Sequence, residues 1–229
     1  MILRRALRRV WFAIFLAASA TFAFGSFYLD HMMPFDLDRP PNFLTKYHLQ
    51  LLKREPLRCM AALERARIDF QPVLPEQREN GCGYEDGVQL LKSEIDYGGR
   101  ILLRCPAMLA LLSWERHVLA PKAEEYFGRK LDATGQLGTY VCRSIGGRSG
   151  RRLSQHAYAN AIDIAGFTLE GGERISVLRD WDDAGAKGRF LRDARDGACH
   201  YFGATLSPDY NAAHANHLHL DMGLIRICR

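Results

Sequence analysis

The sequence predicts an α+β domain, a small antiparallel sheet flanked by helices, preceded by one N-terminal membrane helix. Three observations predict it. Val10–Leu29 is a run without a single charge, the first half of the remaining chain carries leucines at three- and four-residue steps, and the second half shows two-residue alternation.

The N-terminal element comes first. Residues 1–9 hold Arg4, Arg5, Arg8 and Arg9 and read as a cytoplasmic basic end. Residues 10–29 then supply the about 20 apolar residues that a helix needs to cross a bilayer. A cleaved signal peptide is the alternative, with Ala18-Ser19-Ala20 or Ala23-Phe24-Gly25 as small-residue sites, though the apolar run is long for one. Both readings export everything after Asp30.

This removes most of the apparent basicity. The formal charge is +5, and without the four N-terminal arginines it is +5 − 4 = +1. A nearly neutral exported domain gives no case for nucleic-acid binding. All six cysteines lie in the exported part. An oxidising compartment implies up to three disulfides, out of about 15 possible pairings. Cys142 is expected to pair with Cys199, because both flank histidine-bearing segments; free buried thiols are the alternative. No CxxC is present, which excludes the usual zinc knuckle.

Residues 30–42, with Pro34, Pro40 and Pro41 among polar residues, read as an extended tether, and 43–229 as one domain. From Phe43 to about Ile68 the leucine spacing predicts helix, broken at Pro56. Residues 73–91 read as loop and short strand. Pro106 opens a second helix whose buried face holds Leu109, Leu112, Trp114 and Leu119, with Pro121 ending or kinking it. Gln136–Ser144 reads as a strand and is followed by the basic loop IGGRSGRR. Ala161–Phe167 reads as a buried strand carrying one carboxylate, Asp163. Gly171 and Gly172 make a turn into Ile175–Leu178, and Gly188–Ala198 reads as a short helix. The chain shows no internal repeat and no low-complexity tract.

The last strand raises the chemical question. His214, His217 and His219 fall within six residues of a chain that has eight histidines. Leu218, Leu220 and Met222 alternate with His217, His219 and Asp221, so His217 and His219 point to one side while the leucines face the core. Two imidazoles on one face, an aspartate on a nearby strand and His156 upstream suggest a metal site. Zinc accepts this donor set, and a catalytic zinc keeps three protein ligands and an open fourth position. His156, Asp163 and one histidine of the pair fill it, and the other histidine then stands beside the site as a proton carrier.

These residues carry a resemblance. SxHxxxxAxD followed by HxHxD, here Ser154 to Asp163 and His217 to Asp221, is similar to the signature of lysostaphin-type enzymes, D-Ala-D-Ala metallopeptidases and hedgehog-type domains. More narrowly, PFDLDRPP, the CxxAL at Cys59–Leu63, YVCR at Tyr140–Arg143, SQHAYANAIDI and the CxxF at Cys199–Phe202 resemble, in order, the bacterial extensin-like C-terminal domain proteins, over roughly residues 34 to 228. The resemblance implies one Zn2+ per chain held by His156, Asp163 and His219, with His217 as catalytic non-ligand histidine and Arg143 holding substrate carbonyl or carboxylate charge. It implies a zinc peptidase acting on peptidoglycan stem peptides, with the domain in the periplasm and the chain single-pass in the bacterial inner membrane, or secreted if the N-terminal segment is cleaved. Ser154 and Asn160 are expected to orient His156 or Asp163 or to form turns, and Tyr158 to line or cover the site.

One departure matters. The D-Ala-D-Ala branch places a glutamate where this chain has Asn216, and asparagine is no general base; either His217 takes the role or the site is silent. The rival functions are therefore a zinc-bearing domain that only binds wall peptides or an envelope partner, and a purely structural envelope protein. His214 is expected as a loop histidine because the ligand set is already full. Arg148, Arg151 and Arg152 read as a solvated loop, or as a basic rim that attracts stem-peptide carboxylates. His31, His48, His117 and His200 show no partner pattern.

Overall fold

The computed structural model describes residues 2–32, 34–147 and 152–229. They form two units, one ending at Phe35 and the other running Asp36–Arg229. The first unit contains helix α1 (Ile2–Met32). Trp11, Phe15 and Phe22 on it are each more than 60% exposed. Its hydroxyls bond back into the helix, Ser19 Oγ to the Phe15 carbonyl at 2.8 Å and Thr21 Oγ1 to that of Ala17 at 3.0 Å. Among the described residues no helix is long and apolar enough to cross a membrane. The helix expected at Val10–Leu29 is present.

The second unit begins with α2 (Thr45–Leu51), a 3-10 turn and α3 (Pro56–Arg65). The break expected at Pro56 is there, since a proline without an N–H costs nothing at a first helical position. Strands β1 (Asp69–Pro72), β2 (Glu76–Gln77), β3 (Gly83–Tyr84), β4 (Gly87–Lys92) and β5 (Ile101–Arg104) make a three-stranded sheet, β1–β4–β5, and a separate β2–β3 hairpin, all antiparallel.

Helix α4 (Cys105–Trp114) is buried at every position, which explains its lack of a polar face. A π turn, Glu115–Leu119, joins it to α5 (Ala120–Phe127) in unbroken helical backbone, and this widened turn lies just before Pro121, which has no N–H to donate. Gly128, at φ 61°, closes α5 in the left-handed region.

The larger sheet holds β6 (Leu131–Gly138), β7 (Ala161–Leu169), β8 (Arg174–Ser176), β9 (Ala204–Leu206), β10 (Leu218–Asp221) and β11 (Ile227–Cys228). Its order is β11–β9–β10–β7–β6, with β8 also on β7, and all pairs but β11–β9 are antiparallel. Helices α6 (Val177–Asp180) and α7 (Ala186–Ala198) follow β8. Gly171 and Gly172, at φ +90° and +86°, make the expected turn between β7 and β8.

One strand boundary differs from expectation. The strand lies at Leu131–Gly138, not Gln136–Ser144: its ladder with β7 tolerates Gly135 through register shifts and stops at the Gly138–Asp163 pair. Thr139–Arg143 is irregular chain.

The core joins α4, α7 and the sheet. Phe167 of β7 meets Trp114 and Phe190 edge-on, with ring centres 6.1 and 5.2 Å apart, and the buried Trp114 indole donates to the Ala194 carbonyl at 2.8 Å. Trp114 is a core residue, as expected.

Three disulfides form, Cys59–Cys105, Cys82–Cys142 and Cys199–Cys228. The expected Cys142–Cys199 pair is incorrect. Cys199 follows α7 and meets the edge strand β11, whereas Cys142 lies beside the β2–β3 hairpin.

Candidate metal centre

Two adjacent strands build the site. In the β7–β10 ladder His219 stands directly opposite Asp163, so their side chains share one sheet face. His219 Nδ1 lies 2.8 Å from Asp163 Oδ1. His156 comes from elsewhere, a 3-10 turn (Gln155–Tyr158) capped by Ser154, whose Oγ accepts the His156 backbone N–H. Ala159, at φ 49°, then turns the chain into β7. This reversal brings His156 Nε2 to 3.1 Å from Asp163 Oδ2 and 3.3 Å from His219 Nδ1.

Each imidazole is backed by an acceptor. His156 donates Nδ1–H to the Thr139 carbonyl at 2.9 Å, leaving Nε2 for the cluster. His219 Nε2 lies 3.0 Å from Asp221 Oδ2, and Asp221 is itself held by the Gly223 N–H at 2.6 Å. Such outer acceptors fix which ring nitrogen faces a metal. Asp221, two residues beyond His219, shares its face of β10; that spacing is a usable sequence signal. The Thr139 carbonyl has none, because any residue supplies one.

The donor set fits zinc. His156, Asp163 and His219 converge within 4.8 Å, and the first two are buried. Donors on a tetrahedral zinc with bonds of about 2.0–2.1 Å stand about 3.3 Å apart, close to the 2.8, 3.1 and 3.3 Å found here. With protons in place of a cation, His219 donates to two carboxylates. Burial disfavours its charge, but the bonds to Asp163 and Asp221 outweigh burial and push the ring up to about 9. Burial likewise opposes the charge of Asp163, and His156 and His219 overcome it, holding the carboxyl well below the usual range.

His217 stands just before β10, with Nε2 3.6 Å from Asp163 Oδ1. Its Nδ1–H donates to Asn216 Oδ1 at 2.8 Å, which leaves Nε2 bare. Burial pushes this ring below the usual histidine value, against the pull of Asp163. Arg143, half exposed, has a guanidinium nitrogen 3.9 Å from Asp163 Oδ2.

Other expected residues take quieter places. Ser154 forms a turn, and the Asn160 amide donates to Gln155 Oε1 at 2.6 Å. Tyr158 ends the 3-10 turn, half-buried. Arg152 is exposed, while Arg148 and Arg151 lie outside the described residues. His214, expected as a loop histidine and not a ligand, lies on a 3-10 turn capped by Asn211 that carries its ring to 5.3 Å from His217 and 5.9 Å from His219. Burial and the two neighbouring histidines push it down to about 4.

Fold and site together define an α+β, disulfide-bonded domain in which His156, Asp163 and the partly buried His219 converge into one cluster. The chain belongs to the family described as extensin-like protein C-terminus, whose model matches residues 57–229. No curated protein and no solved structure matches it.

Proposed function

We propose that this domain is a zinc-dependent hydrolase of peptidoglycan peptide bonds, an endopeptidase or carboxypeptidase of cell-wall remodelling. The observation that carries the reading is the convergence of His156, Asp163 and His219, with His217 Nε2 left bare 3.6 Å from Asp163. The substrate class rests on the motif's resemblance to lysostaphin-type and D-Ala-D-Ala peptidases.

His156 Nε2, Asp163 and His219 Nδ1 would hold the ion. Bound there, zinc supplies Lewis acidity toward a carbonyl oxygen and makes water nucleophilic near neutral pH. His217, neutral and with its Nδ1–H committed to Asn216, takes a proton on Nε2 from the attacking water and returns it to the leaving amine. Arg143, with a guanidinium nitrogen 3.9 Å from Asp163 Oδ2, meets the negative charge that develops on the carbonyl oxygen, or a stem-peptide carboxylate.

Three disulfides support an oxidising compartment. We place the domain in the bacterial periplasm, anchored to the inner membrane by the uncharged run Val10–Leu29, or secreted if that segment is cleaved. Asn216, in place of a carboxylate, favours a second reading in which the site holds zinc and binds wall peptides without cutting them.

Metal analysis after dialysis against zinc tests the site. The expected result is one zinc per parent chain and none in His156→Ala or His219→Ala chains that remain folded. Parent chains without zinc would sink the reading.

A further inference from the structure

The segment Thr139–Arg143 supplies three parts of the site. The Thr139 carbonyl takes the His156 ring N–H, the Val141 N–H donates to the His156 carbonyl at 3.2 Å, and Arg143 carries the guanidinium beside Asp163. Yet the segment belongs to no helix or strand, since β6 ends at Gly138. Its position must come from other ties.

Two ties lead to the β2–β3 hairpin. Cys142 is bonded to Cys82, the residue before β3, and Asn80 donates to Cys142 Sγ at 3.1 Å. The Tyr140 hydroxyl donates to Glu76 at 3.0 Å, and its ring meets Tyr84 edge-on at 5.1 Å between centres. A hairpin with two residues per strand is marginal by itself. Joined to the strap by a covalent bond and a partly buried ring contact, it becomes a fixed abutment.

We propose that the Cys82–Cys142 bridge, with Tyr140, is a positioning device: it holds the Thr139–Arg143 strap so that His156 presents Nε2 to the cluster and Arg143 stays beside Asp163. The inference rests on reading the cluster as a metal site. The other two bridges join other elements, α3 to α4 and the end of α7 to β11, and do not touch the strap.

The test titrates zinc into the demetallated full chain against a chromophoric chelator, and reads the His156 ring nitrogens by NMR in the metal-free protein. Displacing an outer acceptor costs about 10–100-fold in metal affinity. That loss is expected for Cys82→Ser/Cys142→Ser, together with a mixture of His156 tautomers. Cys199→Ser/Cys228→Ser keeps parent affinity and the single Nδ1–H tautomer. Tyr140→Phe, with all bridges intact, loses affinity in the same direction and decides the matter if the double variant does not fold. Folded strap variants with parent affinity and parent tautomer overturn the proposal. Absence of zinc binding by the parent overturns the metal reading alone, and the tautomer measurement still judges the strap.

Discussion

Replacing Asp221 by asparagine separates support of His219 from general stability. Asp221 is 8% exposed, and both of its oxygens accept a proton, one from His219 Nε2 at 3.0 Å and one from the Gly223 N–H at 2.6 Å. Asparagine has one oxygen, so its NH2 must face one of these donors. One bond is lost and a buried donor is left unmade, at about 1–3 kcal/mol. If the loss falls on the ring, His219 is free to turn and zinc affinity drops about 10–100-fold. If it falls on Gly223, the melting temperature drops by about 2–4 °C per kcal/mol for a chain of this size. The assay is a chelator-competition titration beside calorimetry of the metal-free protein. Parent affinity together with a parent melting temperature refutes the reasoning.

Other expectations follow from the same geometry. His217→Ala should keep its zinc yet lose about 10²–10⁴-fold in peptide release, the range of a lost general acid–base group; an unchanged rate would assign the proton transfer elsewhere. Asn216→Ala frees the His217 tautomer and should lower kcat with KM unchanged, whereas a change in KM alone would place Asn216 on the substrate. Glu115 is buried under the Ser93 and Tyr97 hydroxyls at 2.6 and 2.7 Å, and burial raises its carboxyl above the ordinary 4.5. Its penalty is absent below the unfolded pKa, grows as pH rises toward the folded one and levels off above it. Glu115→Gln should therefore gain stability over the parent between pH 4 and 8 in urea unfolding, and parallel curves would contradict this. Ala159 combines φ 49° with full burial in a cluster with Tyr84 and Leu102. Ala159→Val should cost at least about 2 kcal/mol from backbone strain and overpacking, and Ala159→Gly should lie near zero, with about 1 kcal/mol of strain relieved against about 0.8 for a lost methyl. Equal stability of the valine variant would show that the turn relaxes.

Much of the site was legible because β structure makes neighbours of regularly spaced residues. His217 and His219 share a side through a two-residue period, and Asp163 sits on a strand whose apolar run announced burial. The α4 helix was legible from Pro106 and its leucines. What was not legible depends on irregular chain. The Thr139 carbonyl holds His156 through a backbone atom with no residue signature. The alternating, partly β-branched and aromatic residues of Gln136–Ser144 drew the predicted strand forward onto the strap, whereas the ladder with β7 stops at Gly138. Cysteine pairing follows three-dimensional adjacency, so flanking the histidine segments in sequence said nothing about Cys142 and Cys199. A full ligand set speaks against His214 as a ligand, yet a short capped turn brings its ring within 5.9 Å of His219.

The central claim is most directly tested by mass spectrometry of muropeptides from purified sacculi incubated with the zinc-loaded protein beside a His217→Ala control. The account predicts new peptide ends with the parent and none with the control, their masses identifying the bond cut. No released peptide from a folded parent carrying one zinc per chain would contradict the hydrolase and leave the peptide-binding reading in its place.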